Sequence, residues 1–402
     1  MAKTYLYVGN WHDKKNNGFR AKEADGSQMD YGIALCSFDE ETGEIKKLST
    51  EYPEEFFGVG RCFIDKNRNV FYATDERENH PDVKFGGGGS RIIAFAIDPE
   101  TGKLTKVNEQ PSFGSKASFV TGDEEGKYIL VTNHGARIDT TTTIQDAMGK
   151  YHVMVQHDES NVVLFPLRED GSVGEPSDIF RLSGTGPKHF QHGPHAHSIN
   201  KAPGKDLFAV CDKGGDQLYV LRLDKDTGKL IPAEGTPSHR IPGSGCRYSS
   251  FHPTKPYLYI NHEAESLLTA FVYDEEGRIR EVETIVDQPE GYPEPSKDAL
   301  FQSDVRVDPS GKYLYAAIRV TNVVLVYDID QETGKLAWKQ TFDTEGGIRM
   351  LEFSPDGRFL LGSFPYNNKV EVYPIAADGT LGRAVSTLTQ PTPATLNFFR
   401  TE

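Results

Sequence analysis

Short apolar runs punctuate this chain at a steady beat. Seven of them, at residues 5–8, 70–73, 128–131, 207–210, 257–260, 313–316 and 359–362, are β-branched and aromatic, four residues long and bounded by Gly, Pro, Asp or Asn. Runs of that length and composition predict strands with both faces covered. A further apolar strand follows most of them, at 91–97, 161–166, 217–223, 267–273, 322–329 and 369–375. Each unit then closes on a turn resembling Asp-x-x-Thr-Gly-Lys-Leu, whose glycines are Gly43, Gly102, Gly171, Gly228, Gly277, Gly334 and Gly379, spaced 45 to 69 residues apart. No segment holds a helical period. Seven irregular copies of one strand-and-turn unit predict an all-β chain, a seven-bladed propeller with loop insertions.

The two ends complete each other. The first unit begins with its second strand, while residues 394–399 are an apolar strand left over after the last unit. We therefore expect the C-terminal strand to become the innermost strand of blade one, closing the ring and removing its exposed edges. The whole of 1–402 is read as one propeller domain. Insertions at 10–31, 79–90 and 138–160 each follow a second strand. They are expected to emerge on one face, either as tolerated surface loops or as a partial lid. The run Gly86–Gly89 lacks the Lys-Ser/Thr of a phosphate loop and is read as a flexible segment.

Composition narrows the partners. The 402 residues carry 44 Lys+Arg against 59 Asp+Glu, a net charge of −15. That balance argues against nucleic acid and anionic membranes as partners, while a local group of arginines can still bind a small anion. The longest apolar runs are strand-sized, so none predicts a membrane span. The first residues carry neither a basic nor a long apolar stretch of secretory type. Four cysteines lie far apart without a CxxC pair, which predicts a reducing, cytoplasmic setting. The oligomeric state is left open.

In antiparallel blades, the end of the second strand and the start of the innermost one share a face beside the central channel. Residues just past the second strands give one column: Trp11, Glu76, His134, Asp212, Glu263, Arg319 and Pro365. Starts of the innermost strands give another: Arg61, His197, Arg247, Asp304 and Arg349. Acids, bases and several arginines around one mouth point to a functional pocket rather than a solvated rim. His189, His192, His195 and His197 fall within nine residues. Their spacing fits no helical ligand pair and no cysteine pair accompanies them, so a metal site is not expected. There is no GxSxG elbow, and Trp11 and Trp338 form no Trp-Asp dipeptide.

At these positions the chain resembles a known family. The segments are YATDE (72–76), GKYILVTN (126–133), GPHAHS (193–198), GCRYSSFHP (245–253), NHE (261–263) and SGKYLYAAIR (310–319). Together they are similar to the seven-bladed lactonases, which include propeller-type 6-phosphogluconolactonases and fungal carboxymuconate lactonizing enzymes. The resemblance covers nearly the whole chain. It implies a catalytic set of His197, Arg247, Glu263 and Arg319. Two stretches depart from the family pattern: Cys246 and Tyr248 flank Arg247 where the family commonly has Pro and His, and Asn133-His-Gly-Ala stands where it has Asn-Tyr-Gly-x-Gly.

The expected function is hydrolysis of a small anionic or sugar-derived lactone, without cofactor or metal. Opening a lactone needs a base for water and positive charge for the developing oxyanion. His197 or Glu263 is the candidate base, and Arg247 and Arg319 the candidate anion holders. Two arginines beside Glu263 favour its ionised form and weaken it as a base. Glu76, Asn133, His195, Asp304 and Arg349 are expected to contact substrate. Cycloisomerisation of a carboxymuconate is one alternative; a propeller that binds a ligand or partner without turnover is another.

Overall fold

The computed structural model describes residues 2–11, 31–53, 55–79, 88–136, 139–289, 291–292 and 302–401. Most of the insertion at 10–31 lies outside the described residues, as do 80–87 of the second insertion. Among the described residues, seven antiparallel sheets account for nearly all the regular structure. Each has four principal strands, and blade four carries a short fifth, Ser238–His239. Packed around one axis, they make the seven-bladed propeller that the repeats predict.

The strand pattern follows from burial. Second strands such as Thr4–Asn10 and Tyr257–His262 are buried along their whole length, because a neighbouring blade covers each face. They therefore read as continuous apolar runs rather than alternating ones. Outer strands such as Ile45–Glu51 are partly exposed and mixed in sequence. The core lies between blades. One cluster joins Phe119, Ile199, Tyr259 and Leu314 across blades three to six, and smaller ones fill the remaining seams.

The closing turns tie one blade to the next. All seven turn glycines adopt a positive φ, between 63° and 84°. At four seams a tyrosine hydroxyl of the preceding blade donates to the turn glycine's carbonyl: Tyr7 to Gly102, Tyr72 to Gly171, Tyr259 to Gly334 and Tyr315 to Gly379, at 2.6–2.9 Å.

Closure is as expected. Pro393–Arg400 pairs with Thr4–Asn10, with Tyr7 opposite Asn397. The junction is pinned by the Gln390 amide donating to Asn10 Oδ1 at 2.9 Å and the Thr392 hydroxyl donating to the Trp11 carbonyl at 2.6 Å. The insertion at 138–160 is not a loop: Asp139–Gln145 and Tyr151–His157 form a two-stranded hairpin. Its two strands, the first of them Thr-rich, lack a core partner and are mostly exposed. No helix of the described residues is long and apolar enough to cross a membrane.

Candidate active site

The innermost strands start irregularly, and the irregularity places the site. In blades three to six the pairing of the inner strand with the second strand slips at its first residues, between Ala117 and Phe119, Ala196 and Ser198, Cys246 and Ser249, and Gln302 and Asp304. The residues inside these slips are Ser118, His197, Arg247 with Tyr248, and Ser303. A bulge releases a residue from the ladder and re-aims its side chain. Serines bridge the seams at this level: Ser118 donates to the Ala196 carbonyl at 3.1 Å, and Ser198 to the Arg247 carbonyl at 2.8 Å.

The second column corrects the sequence reading by one position. In six blades the residue expected is the first after the second strand. In blade four that strand runs Leu207–Asp212, so the equivalent of Glu263 and Arg319 is Lys213, not Asp212. Asp212 instead accepts backbone N–H bonds from His195, Gly214 and Gly215. Sequence reasoning missed Lys213; counting the strand one residue longer would have found it.

Lys213, Arg247 and Arg319 close on Glu263. Lys213 Nζ lies 2.9 Å from Oε2, Arg247 Nε 3.2 Å and Arg319 Nη2 2.5 Å from Oε1. Glu263 and Arg247 are almost completely buried. Burial alone would raise the Glu263 carboxyl, but the three cations outweigh it and hold the group well below the usual carboxylate range. Arg247 stacks on Tyr248 at 4.5 Å and donates to the Ser303 carbonyl.

Beside this cluster opens a narrow cleft lined by His197, Tyr248, Arg61, Glu76 and Arg349 among others. His197 packs against Tyr248 at 5.3 Å and edge-on to His134 at 5.7 Å, and its Nδ1 is enclosed without a hydrogen-bond partner. Burial, then the charges of Arg247 and Lys213, push the His197 imidazole well below its ordinary range, against the pull of Glu263. It is neutral at neutral pH and able to accept a proton.

Two further arginines face the cleft. Arg61 sits over the Phe119 ring at 5.3 Å. Its Nη2 is 3.0 Å from Glu352, while Nη1 is enclosed without a hydrogen bond, 3.9 Å from Asp304. Arg349 lies over Trp11 at 4.3 Å, with Glu76 3.7 Å away, beyond hydrogen-bond reach. Burial raises the carboxyls of Glu76 and Glu352 and pushes Asp304 up to about 7, in each case against a neighbouring arginine.

Not every expected contact reaches the cleft. The Asn133 amide is engaged within blade three, donating to the Ser112 carbonyl at 2.6 Å and Asn161 Oδ1 at 2.8 Å. Asp304 is fully buried and accepts the Leu351 N–H at 2.9 Å, behind Arg61. His195 stacks flat on His134 at 4.4 Å and leads outward through His192 to His157 of the hairpin. Despite this row of imidazoles, no three His, Cys, Asp or Glu among the described residues are arranged to hold a metal ion.

Fold and site together define a lactonase-type propeller, and the chain belongs to that family: residues 24–398 match the family described as lactonase, 7-bladed beta-propeller. Among individual relatives, it is 27% identical to the 6-phosphogluconolactonase of Bacillus subtilis, over 83% of this chain and 85% of that protein. It is 27% identical to the 6-phosphogluconolactonase of Erwinia tasmaniensis, over 72% of this chain and 75% of that protein. The periplasmic gluconolactonase of Pseudomonas aeruginosa shares the fold, with a TM-score of 0.79 at 19% identity and 99% of both chains covered.

Proposed function

We propose that this chain, taken as one domain over 1–402, hydrolyses a small sugar-derived lactone in the cleft, with 6-phosphogluconolactone, the substrate its relatives are named for, as the first to assay. One observation carries the reading: a neutral imidazole, His197, lines a cleft bordered by cations. In this scheme His197 takes a proton from water as the water attacks the lactone carbonyl. The negative charge on the carbonyl oxygen develops in the positive field of Arg247 and Arg319. The proton then passes to the leaving ring oxygen, giving the free hydroxy acid. Glu263 is the locked counter-ion of the cations rather than the base, because Lys213 takes one of its oxygens and Arg247 and Arg319 the other. The relatives' names favour hydrolysis over cycloisomerisation. A cytoplasmic location belongs to the same proposal and rests on four free, buried cysteines.

The test is lactone opening followed by pH-stat. General base catalysis is typically worth about 10²–10⁴ in rate, so His197→Ala should lose roughly that factor in kcat. The acid limb of the wild-type profile should lie well below the ordinary imidazole range, since burial and the neighbouring cations keep His197 neutral. Wild-type turnover in His197→Ala, or no lactone opened by the wild type, would overturn the reading.

A further inference from the structure

Arg61 and Arg349 are not part of the ion cluster around Glu263. Both precede the innermost strands of their blades, and both are anchored by backbone: Arg61 N–H donates to the Ser118 carbonyl at 3.0 Å and Arg349 N–H to the Ser363 carbonyl at 2.9 Å. Each guanidinium carbon lies over an aromatic ring, Phe119 at 5.3 Å or Trp11 at 4.3 Å. Each also keeps donor capacity in hand. Arg61 has a side chain only 10% exposed, with an enclosed Nη1 lacking a hydrogen bond. Arg349 has its nearest carboxylate at 3.7 Å. A buried donor left unmade is costly, and an oxygen-rich anion entering the cleft would satisfy it. Two guanidinium forks lining one cleft match the oxygens of a phosphate group.

We propose that Arg61 and Arg349 form an anion subsite that holds the phosphate of a phosphorylated sugar lactone and makes the enzyme prefer that substrate to its neutral counterpart. The proposal rests on the lactonase reading for its substrate but not for its ligand chemistry. The carboxyls facing the pair do not cancel it. Arg306 shares two of them, lying 3.3 Å from Asp304 and 3.6 Å from Glu352, and burial shifts Glu76, Asp304 and Glu352 toward the protonated form. In a chain of net charge −15, such a local group of arginines is what can draw an anion to this mouth.

The experiment compares 6-phosphoglucono-δ-lactone with glucono-δ-lactone, using the wild type, Arg61→Met, Arg349→Met and Arg349→Lys. Hydrogen bonds between charged partners are worth about 10- to 100-fold in binding. The ratio of kcat/KM for the phosphorylated over the neutral lactone should fall by about that factor in each Met variant, chiefly through KM. Arg349→Lys should recover only part of it, because an ammonium lacks the fork. An unchanged ratio, or equal losses on both lactones, would overturn the subsite. Calorimetric titration with inorganic phosphate runs in parallel. Binding by the wild type that either Met variant weakens supports the subsite even if neither lactone is opened, an outcome that sinks only the lactonase reading. Phosphate binding that is absent, or equal in wild type and variants, counts against the subsite. Should Arg61→Met fail to fold, Arg349→Met alone decides.

Discussion

Asp287 illustrates how burial sets charge in this molecule. It accepts the Tyr327 hydroxyl on one oxygen and the Gln302 amide on the other, both at 2.6 Å, and no cation among the described residues pairs with it. Burial pushes its carboxyl up to about 8, with the Tyr327 hydrogen bond opposing. The unfolded carboxyl titrates near 3.9. Between about pH 4 and 8 the folded state therefore binds more protons than the unfolded state. Stability from this group is complete below pH 4 and is lost as pH rises through 8, by at most about 1.4 kcal/mol per pH unit. Urea unfolding at pH 5 and pH 8 should show the wild type losing ground to Asp287→Asn at the higher pH. A pH-independent difference between the two would refute this. Glu263 is the opposite case, equally buried yet held ionised by three cations.

Among the strands, the seams carry a device that can be measured. Tyr259→Phe removes the hydroxyl bond to the Gly334 carbonyl and should cost about 1 kcal/mol, leaving a buried acceptor unsatisfied. Gly334→Ala should cost more. Its φ is +75°, and an added Cβ would sit 2.6 Å from Tyr257 Cδ1, so both backbone and ring must give way. Thermal melts of the two variants check the order. The strands themselves were largely legible: 91–97, 161–166 and 267–273 begin and end in the structure where the apolar runs do. The hairpin at 139–157 was not, because its strands are exposed on both faces and so lack the long apolar run of a buried strand. The site was legible in part. His197, Arg247, Glu263 and Arg319 sit at repeat-equivalent positions, whereas a bulge has no sequence mark of its own. Lys213 was hidden by a strand end misjudged by one residue, and the engagement of the Asn133 amide was not legible because its partner Ser112 lies between the strands Leu104–Pro111 and Ala117–Gly122, outside the repeat positions.

The whole ring depends on one strand pairing across the full length of the chain. Deleting 391–402 removes the partner of Thr4–Asn10 and with it Phe399, which packs in the core of blades one and two. A long inner edge with unpaired N–H and C=O groups would be left. The truncated chain should be insoluble or melt far below the intact protein; a soluble truncation with an unchanged Tm would show that closure adds little.

That pairing also sets a timetable. During synthesis Thr4–Asn10 emerges long before its inner neighbour, Pro393–Arg400. At roughly 5–20 residues per second, about 20–80 s separate the two. Blades two to seven can assemble in order as they appear, while the first waits with its inner edge bare. The blade begun first is thus the last to be finished, and it is there that a chaperone holding extended segments would have its longest opportunity to act.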